Sequence, residues 1–174
     1  GFNEHFAGDA PADIQRFVGQ YRAWIDTQRE KFSKPDRPAR FILVTPTAFE
    51  DPGNKHLPDG KRNNEVLKQY ASAIQQLAAD LGVPCIDLFT PTLSAFSREP
   101  GAQYSINGVH LNEEGDLLVS EELNRQMFGN TSGMKLDSAD FARLREVVNE
   151  KSWLHLQDYR MLNGWYVYGG RRTW

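Results

Sequence analysis

The residues best placed to do chemistry lie in one run, Asn107-Gly108-Val109-His110-Leu111-Asn112-Glu113-Glu114-Gly115. An imidazole changes charge near neutral pH, so His110 can act as a general base. The residues after it hold it in place. Asn112 is a good N-cap for a helix starting at Glu113, and Glu113 and Glu114 set negative charge against the positive end of that helix. The competing reading is a loop histidine that satisfies local backbone groups. Glu4, His5, Asp9, His56 and Asp59 are also metal-ligand types, but no two have a tight ligand spacing, and they read as solvated surface. No metal and no cofactor is called for.

The elements that must position His110 follow from periodicity. Ile14, Phe17, Val18, Tyr21, Trp24 and Ile25 recur at helical spacing and predict a helix from about Ala12 to Phe32, ended by Pro35 and Pro38. Phe41 to Val44 is a continuous apolar run, the pattern of a strand buried on both faces of a parallel sheet. Leu67, Tyr70, Ala71, Ile74, Leu77, Ala78 and Leu81 predict a second helix from about Asn64, closing at Gly82. Val83 to Phe89 reads as a second buried strand. Strand, helix, strand in this order is the parallel crossover of an α/β sheet.

Two long loops interrupt this pattern. The one from Thr45 to Asn64 is polar and broken by prolines and glycines, and loops of that length tend to be functional. In it, Glu50-Asp51 and Lys61-Arg62 read as loop charges that could also reach the rim of a site. The other loop runs from Phe89 to His110. Both follow carboxyl ends of strands, where open α/β sheets build their sites. If Gly1-Phe2-Asn3 also follows a strand, Asn3 and His110 converge on one rim. A helix from Glu113 to Met127 comes next. After a Gly129-Asn130-Thr131-Ser132-Gly133 boundary, a shorter helix from Asp137 to about Glu150 uses Phe141, Leu144, Val147 and Val148. Trp153, Tyr159, Trp165, Tyr166, Tyr168 and Trp174 make the last stretch aromatic. They could stack on sugar rings, though packing against other parts of a larger protein is the simpler reading.

Composition narrows the classes. The 174 residues, 40% hydrophobic and 25% charged, suffice for a globular core. A net charge of -3 offers no broad basic surface for nucleic acid or an anionic membrane. No apolar run reaches the roughly 20 residues of a spanning helix. Cys85, the single cysteine, sits among apolar residues and reads as a small buried hydrophobe. Both ends read as cut, as in a fragment of a longer polypeptide.

The residues also carry a family resemblance. Gly1-Phe2-Asn3-Glu4 resembles the third block, G-x-N-D, of the SGNH (GDSL-type) hydrolases, and Asn107-Gly108-Val109-His110 resembles their fifth, D-x-x-H. The resemblance covers Gly1 to about Phe128, the second part of such a domain. The run from Ile106 to Gly115 resembles a branch found in large secreted bacterial proteins, and Asn163 to Arg171 is similar to the segment after the hydrolase domain there. The fold this implies is an α/β, flavodoxin-like three-layer α/β/α sandwich with a parallel sheet. It would be truncated at the N-terminus, with residues 1–128 as a partial hydrolase domain and 129–174 as a helical and aromatic extension.

The activity implied is ester hydrolysis by a serine nucleophile on a small-molecule or carbohydrate ester, with O-acetylated carbohydrate as the substrate and a secreted or periplasmic location. His110 would take the serine proton and return it to the leaving alcohol, and Asn3 would donate its amide N–H to the oxyanion. Asn107 stands where the triad acid is expected. Its oxygen can orient the imidazole but cannot stabilise the imidazolium as a carboxylate does, and an amide can favour a different tautomer. Asp87, Glu113 and Glu114 are candidates to supply the charge instead. Glu4 replaces the usual Asp. The serine block is absent: Ser33, Ser72, Ser94, Ser97 and Ser105 lack the Gly-Asp-Ser context, so none is assigned as nucleophile and the chain alone is expected to be inactive. The alternative is a non-catalytic carbohydrate-binding or interaction domain on a degenerate hydrolase fold, which the amide at 107 keeps open.

Overall fold

Helices dominate the chain. The computed structural model describes residues 2–98, 103–129 and 139–159. A 3₁₀ turn, Asn3–Ala7, leads into helix α1, Pro11–Phe32; strand β1 is Leu43–Val44 and helix α2 is Lys61–Leu81. Strand β2, Cys85–Ile86, is followed by α3, Phe89–Phe96, then α4, Glu113–Phe128, and α5, Ala139–Tyr159. Gly1–Gly129 forms one compact unit and Asn130–Trp174 another. Among the described residues no helix is long and apolar enough to cross a membrane.

The three-layer α/β/α sandwich is not what these residues build. The described sheet has two short strands, β1 and β2, paired in parallel with Leu43 opposite Cys85 and Val44 opposite Ile86. The strand, helix, strand crossover is therefore present, but a ribbon this narrow cannot separate two helical layers. The apolar run misleads because it does not state how many faces are covered. Leu43 is buried, whereas Ile42 and Val44 are 45% and 38% exposed, so one face is packed and the other open. The second predicted strand shrinks for another reason: Phe89 starts α3, inside what reads as loop. Pro91 is no obstacle to that helix, because a proline fits the first turn, where no backbone N–H is needed.

Helix α2 organises the first unit because it is apolar on two sides. Val66, Tyr70, Ile74, Leu77 and Ala78 pack with Phe17 and Ile25 of α1 and with Leu43 of β1. Fully burying one such large side chain is worth about 1.5–3 kcal/mol. Leu67 and Ala71 face the other way and form a second cluster with Ala48, Phe49 and Phe89. The helix ends as expected at Gly82, left-handed at φ 64°, with Val83 N–H donating to the Ala78 carbonyl at 3.0 Å. In α1 the expected stripe is only partly inward, since Trp24 is 55% exposed. In α5, which runs to Tyr159 and not to Glu150, Leu144, Val147 and Val148 are exposed where periodicity predicts a buried face. Asp137 and the aromatics Trp165, Tyr166, Tyr168 and Trp174 lie outside the described residues.

Candidate functional site

The loop that carries His110 is short and closed at its base. Ser105 and Leu111 form an antiparallel bridge, Ile106 N–H donates to the His110 carbonyl at 2.8 Å, and Asn112 N–H donates to the Tyr104 carbonyl at 3.1 Å. Gly108 sits at the tip with φ +86°, a conformation that glycine adopts without steric cost. Asn112 is the N-cap of α4 that its sequence position predicts. Its Oδ1 accepts from Gly115 N–H at 3.0 Å, while its Nδ2 donates to the Gln103 carbonyl at 2.8 Å. One side chain thus starts the helix and ties down the entry to the loop.

Within this loop the structure brings Asn107 and His110 together directly. The ring Nδ1 lies 3.0 Å from Asn107 Oδ1. The same oxygen accepts from the backbone N–H of His110 at 3.0 Å and of Val109 at 3.3 Å. Two backbone donors require the oxygen, not the NH2, to face inward. An amide oxygen only accepts, so Nδ1 carries a proton, and in the neutral ring the lone pair is then on Nε2. That is the tautomer a general base needs, and His110 is exposed, so Nε2 is accessible.

Asn3 is placed less decisively. It is exposed on the Asn3–Ala7 turn, and no hydrogen bond joins it to Asn107 or His110 among the described residues. The link between the two regions runs through their neighbours: Phe2 and Val109, each one residue before a candidate, both pack on the cluster around Phe49 and Leu67. Asp87 is committed elsewhere. Its Oδ1 accepts from Thr45 Oγ1 at 3.0 Å and from Phe89 N–H at 3.0 Å, which starts α3. Glu113 and Glu114 are exposed in the first turn of α4, and among the described residues neither is hydrogen-bonded to His110.

Two polar residues turn out to be internal. His5, which reads as surface, is 6% exposed, with Nδ1 against the Phe2 carbonyl and Nε2 2.9 Å from Asn63 Nδ2. With a partner at each ring nitrogen, this imidazole is a structural joint between the 3₁₀ turn and α2. Glu50, which reads as a loop charge, is 0% exposed. Its Oε1 accepts from Tyr104 N–H at 2.7 Å and its Oε2 from Ser105 Oγ at 2.5 Å. The sequence signal for Glu50 is the apolar pair Ala48-Phe49 beside it, which marks where an otherwise polar loop dips into the core. The other charges of that loop are local: Asp51 Oδ1 accepts from Gly53 N–H at 2.8 Å, Lys61 pairs with Asp59, and Arg62 pairs with Asp9 and Glu65.

Two clefts among the described residues are lined by residues other than His110. One of about 420 Å³ is lined by Glu4, Phe17, Gln20, Tyr21 and Trp24, and a smaller one of about 210 Å³ includes His5, Asp9, Arg62 and Asn63. No group of three or more His, Cys, Asp or Glu that could hold a metal ion occurs among the described residues. Burial, then the Asp87 carboxylate, pushes the Cys85 thiol above its ordinary pKa, which makes it a poor nucleophile.

Comparison with known proteins gives one partial likeness. The chain is 27% identical over 94 residues to a GDSL esterase/lipase of Arabidopsis thaliana, a match covering 48% of this chain and 38% of that protein. The chain therefore spans well under half the length of this relative. No family model matches, and no solved structure matches.

Proposed function

We propose that residues 1–129 carry the base half of a serine esterase site, acting on acyl esters with O-acetylated carbohydrate as the substrate class. The observation that carries this is the Asn107 to His110 hydrogen bond at 3.0 Å, which in the neutral ring puts the proton on Nδ1 and makes Nε2 the acceptor on an anchored loop. The partial likeness to a GDSL esterase/lipase supports the same chemistry. In this reading His110 Nε2 removes the proton from a serine hydroxyl as it attacks the ester carbonyl. The tetrahedral oxyanion is met by the Asn3 amide, and the imidazolium then protonates the departing alkoxide. Water repeats the cycle on the acyl-enzyme to release the acid. The serine is supplied from outside these 174 residues, because none of their serines has the nucleophile context and Ser105 is committed to Glu50.

The test is p-nitrophenyl acetate hydrolysis by the polypeptide that includes the sequence encoded upstream of Gly1. Loss of a general base costs about 10²–10⁴ in rate, so His110→Ala is expected to lower kcat by that factor. Full activity in His110→Ala would refute the assignment. An upstream sequence without a Gly-Asp-Ser block, combined with carbohydrate binding, would favour the non-catalytic alternative.

A further inference from the structure

We propose that Glu50 is a positioning residue for the His110 loop, a buried carboxylate that fixes the loop from behind and so fixes the tautomer of the imidazole. This rests on the esterase reading only for its catalytic consequence; the positioning itself stands on the network around Glu50.

Three connections run from Glu50 into the loop. Its backbone N–H donates to the Gly108 carbonyl at 2.9 Å. Its Oε1 takes Tyr104 N–H at 2.7 Å, and its Oε2 takes Ser105 Oγ–H at 2.5 Å. Ser105 Oγ in turn accepts from Gly108 N–H at 2.9 Å. Both peptide groups of Gly108 are thus held, one directly and one through Ser105. Gly108 follows Asn107, so what fixes Gly108 fixes where the Asn107 oxygen lies.

The other end of the network is equally firm. Asn64 of α2 clamps the backbone of Phe49, accepting its N–H at 2.7 Å and donating to its carbonyl at 2.8 Å. Thr92 Oγ1 of α3 accepts from Ala48 N–H at 2.8 Å. The chain of contacts therefore runs from two helices through Glu50 to the histidine loop. A carboxylate suits the centre, because both of its oxygens accept and every neighbour donates. An amide there would turn one donor toward another donor or toward the serine hydroxyl. Placing a solvent-inaccessible carboxyl in a loop is costly unless its oxygens are hydrogen-bonded, and here each oxygen has a partner.

The consequence is read at the ring. A free imidazole in water prefers its proton on Nε2, so the Nδ1–H form at His110 depends on Asn107 Oδ1 being held 3.0 Å away. The experiment uses the ¹⁵N-labelled chain and long-range proton to nitrogen correlation at the imidazole, with circular dichroism to confirm folding. The unsubstituted chain should show Nε2 unprotonated. Glu50→Gln and, separately, Ser105→Ala should shift the ring toward Nε2–H while the helical signal is kept, as Asn107→Ala should do directly.

Folded variants with an unchanged tautomer would overturn the proposal. So would global unfolding of both, since the network would then support the whole unit and not the loop. In the longer polypeptide Glu50→Gln should lower kcat about 10–100-fold with KM unchanged, the signature of a displaced base. The tautomer measurement needs neither serine nor substrate. A tautomer shift in a polypeptide without esterase activity would therefore refute the esterase reading and leave the positioning role intact.

Discussion

Gly108→Ala is the sharpest structural test of how the histidine loop is held. A Cβ at this position would lie 2.3 Å from Phe49 Cε1, 2.7 Å from the Glu50 carbonyl oxygen and 2.9 Å from Phe49 Cζ. The ring could move a little, but it belongs to the second core cluster, and the Glu50 N–H is bonded back to the Gly108 carbonyl at 2.9 Å, so the two backbones cannot separate without breaking that bond. The left-handed backbone at φ +86° adds about 1–2 kcal/mol for a residue with a side chain. Forcing a methyl into packed surroundings adds about 1–3 kcal/mol. The sum, about 2–5 kcal/mol, is a large share of the roughly 5–15 kcal/mol by which a domain is stable. Gly53→Ala is the matched control, because its φ is +65° but nothing lies within 4 Å of its Cβ, so only the backbone cost applies. Urea unfolding followed by circular dichroism compares the two. Gly108→Ala should be the less stable by about 1–3 kcal/mol, the overpacking cost alone. Equal midpoints for the two variants would show that the loop does not press on Phe49 and Glu50 as described.

Gly115→Ala tests the same loop from the helix side. In an ordinary helical site this change stabilises by about 0.5–1 kcal/mol. Here the Cβ would fall 2.1 Å from the Tyr104 carbonyl oxygen, which is fixed as the acceptor of Asn112 N–H, so the sign should reverse in the same urea experiment; a stabilised variant would be inconsistent with this packing. For Cys85, burial and then Asp87 raise the thiol pKa. Its thiolate fraction at neutral pH is thus below that of free cysteine, and its reaction with a disulfide reagent should be slower than free cysteine's and should accelerate as pH rises through the alkaline range. A rate equal to free cysteine's at neutral pH would contradict the burial.

Local signals carry the helices, and tertiary ones carry the surprises. The stripe from Leu67 to Leu81 and the Asn112 cap depend on neighbours within a few residues, and both are where periodicity and capping chemistry put them. The two-stranded sheet is not legible, because the apolar run Phe41 to Val44 has the same composition whether one face or two is covered. The internal polar residues are hidden for a related reason. Glu50 meets Tyr104 54 positions away, and His5 meets Asn63 58 positions away. A glutamate between a phenylalanine and an aspartate carries no local mark of such a partner beyond the apolar pair before it.

In the esterase reading proposed above, the amide at 107 is the weakest point, and its surroundings change what that weakness is. An asparagine in place of a triad acid is damaging chiefly when it turns its NH2 to the ring and enforces the wrong tautomer, a loss of about 10⁴ in kcat in a well-studied serine protease. At Asn107 that rotation would set the NH2 against the N–H groups of Val109 and His110, which now bond to Oδ1. The rotation would give up both bonds; the Val109 bond is part-buried and the His110 bond exposed, so the cost lies below the about 1–3 kcal/mol per donor of a fully shielded site. The orientation half of the acid's work is thereby kept, and only its charge is lost. What remains to compensate is rigidity, and the loop has it from both sides: Asn112 bonds Gln103 and Gly115, and Glu50 bonds Tyr104, Ser105 and Gly108. A base held in this way loses little entropy on reaching the reactive arrangement, the one contribution an uncharged partner can still make in full.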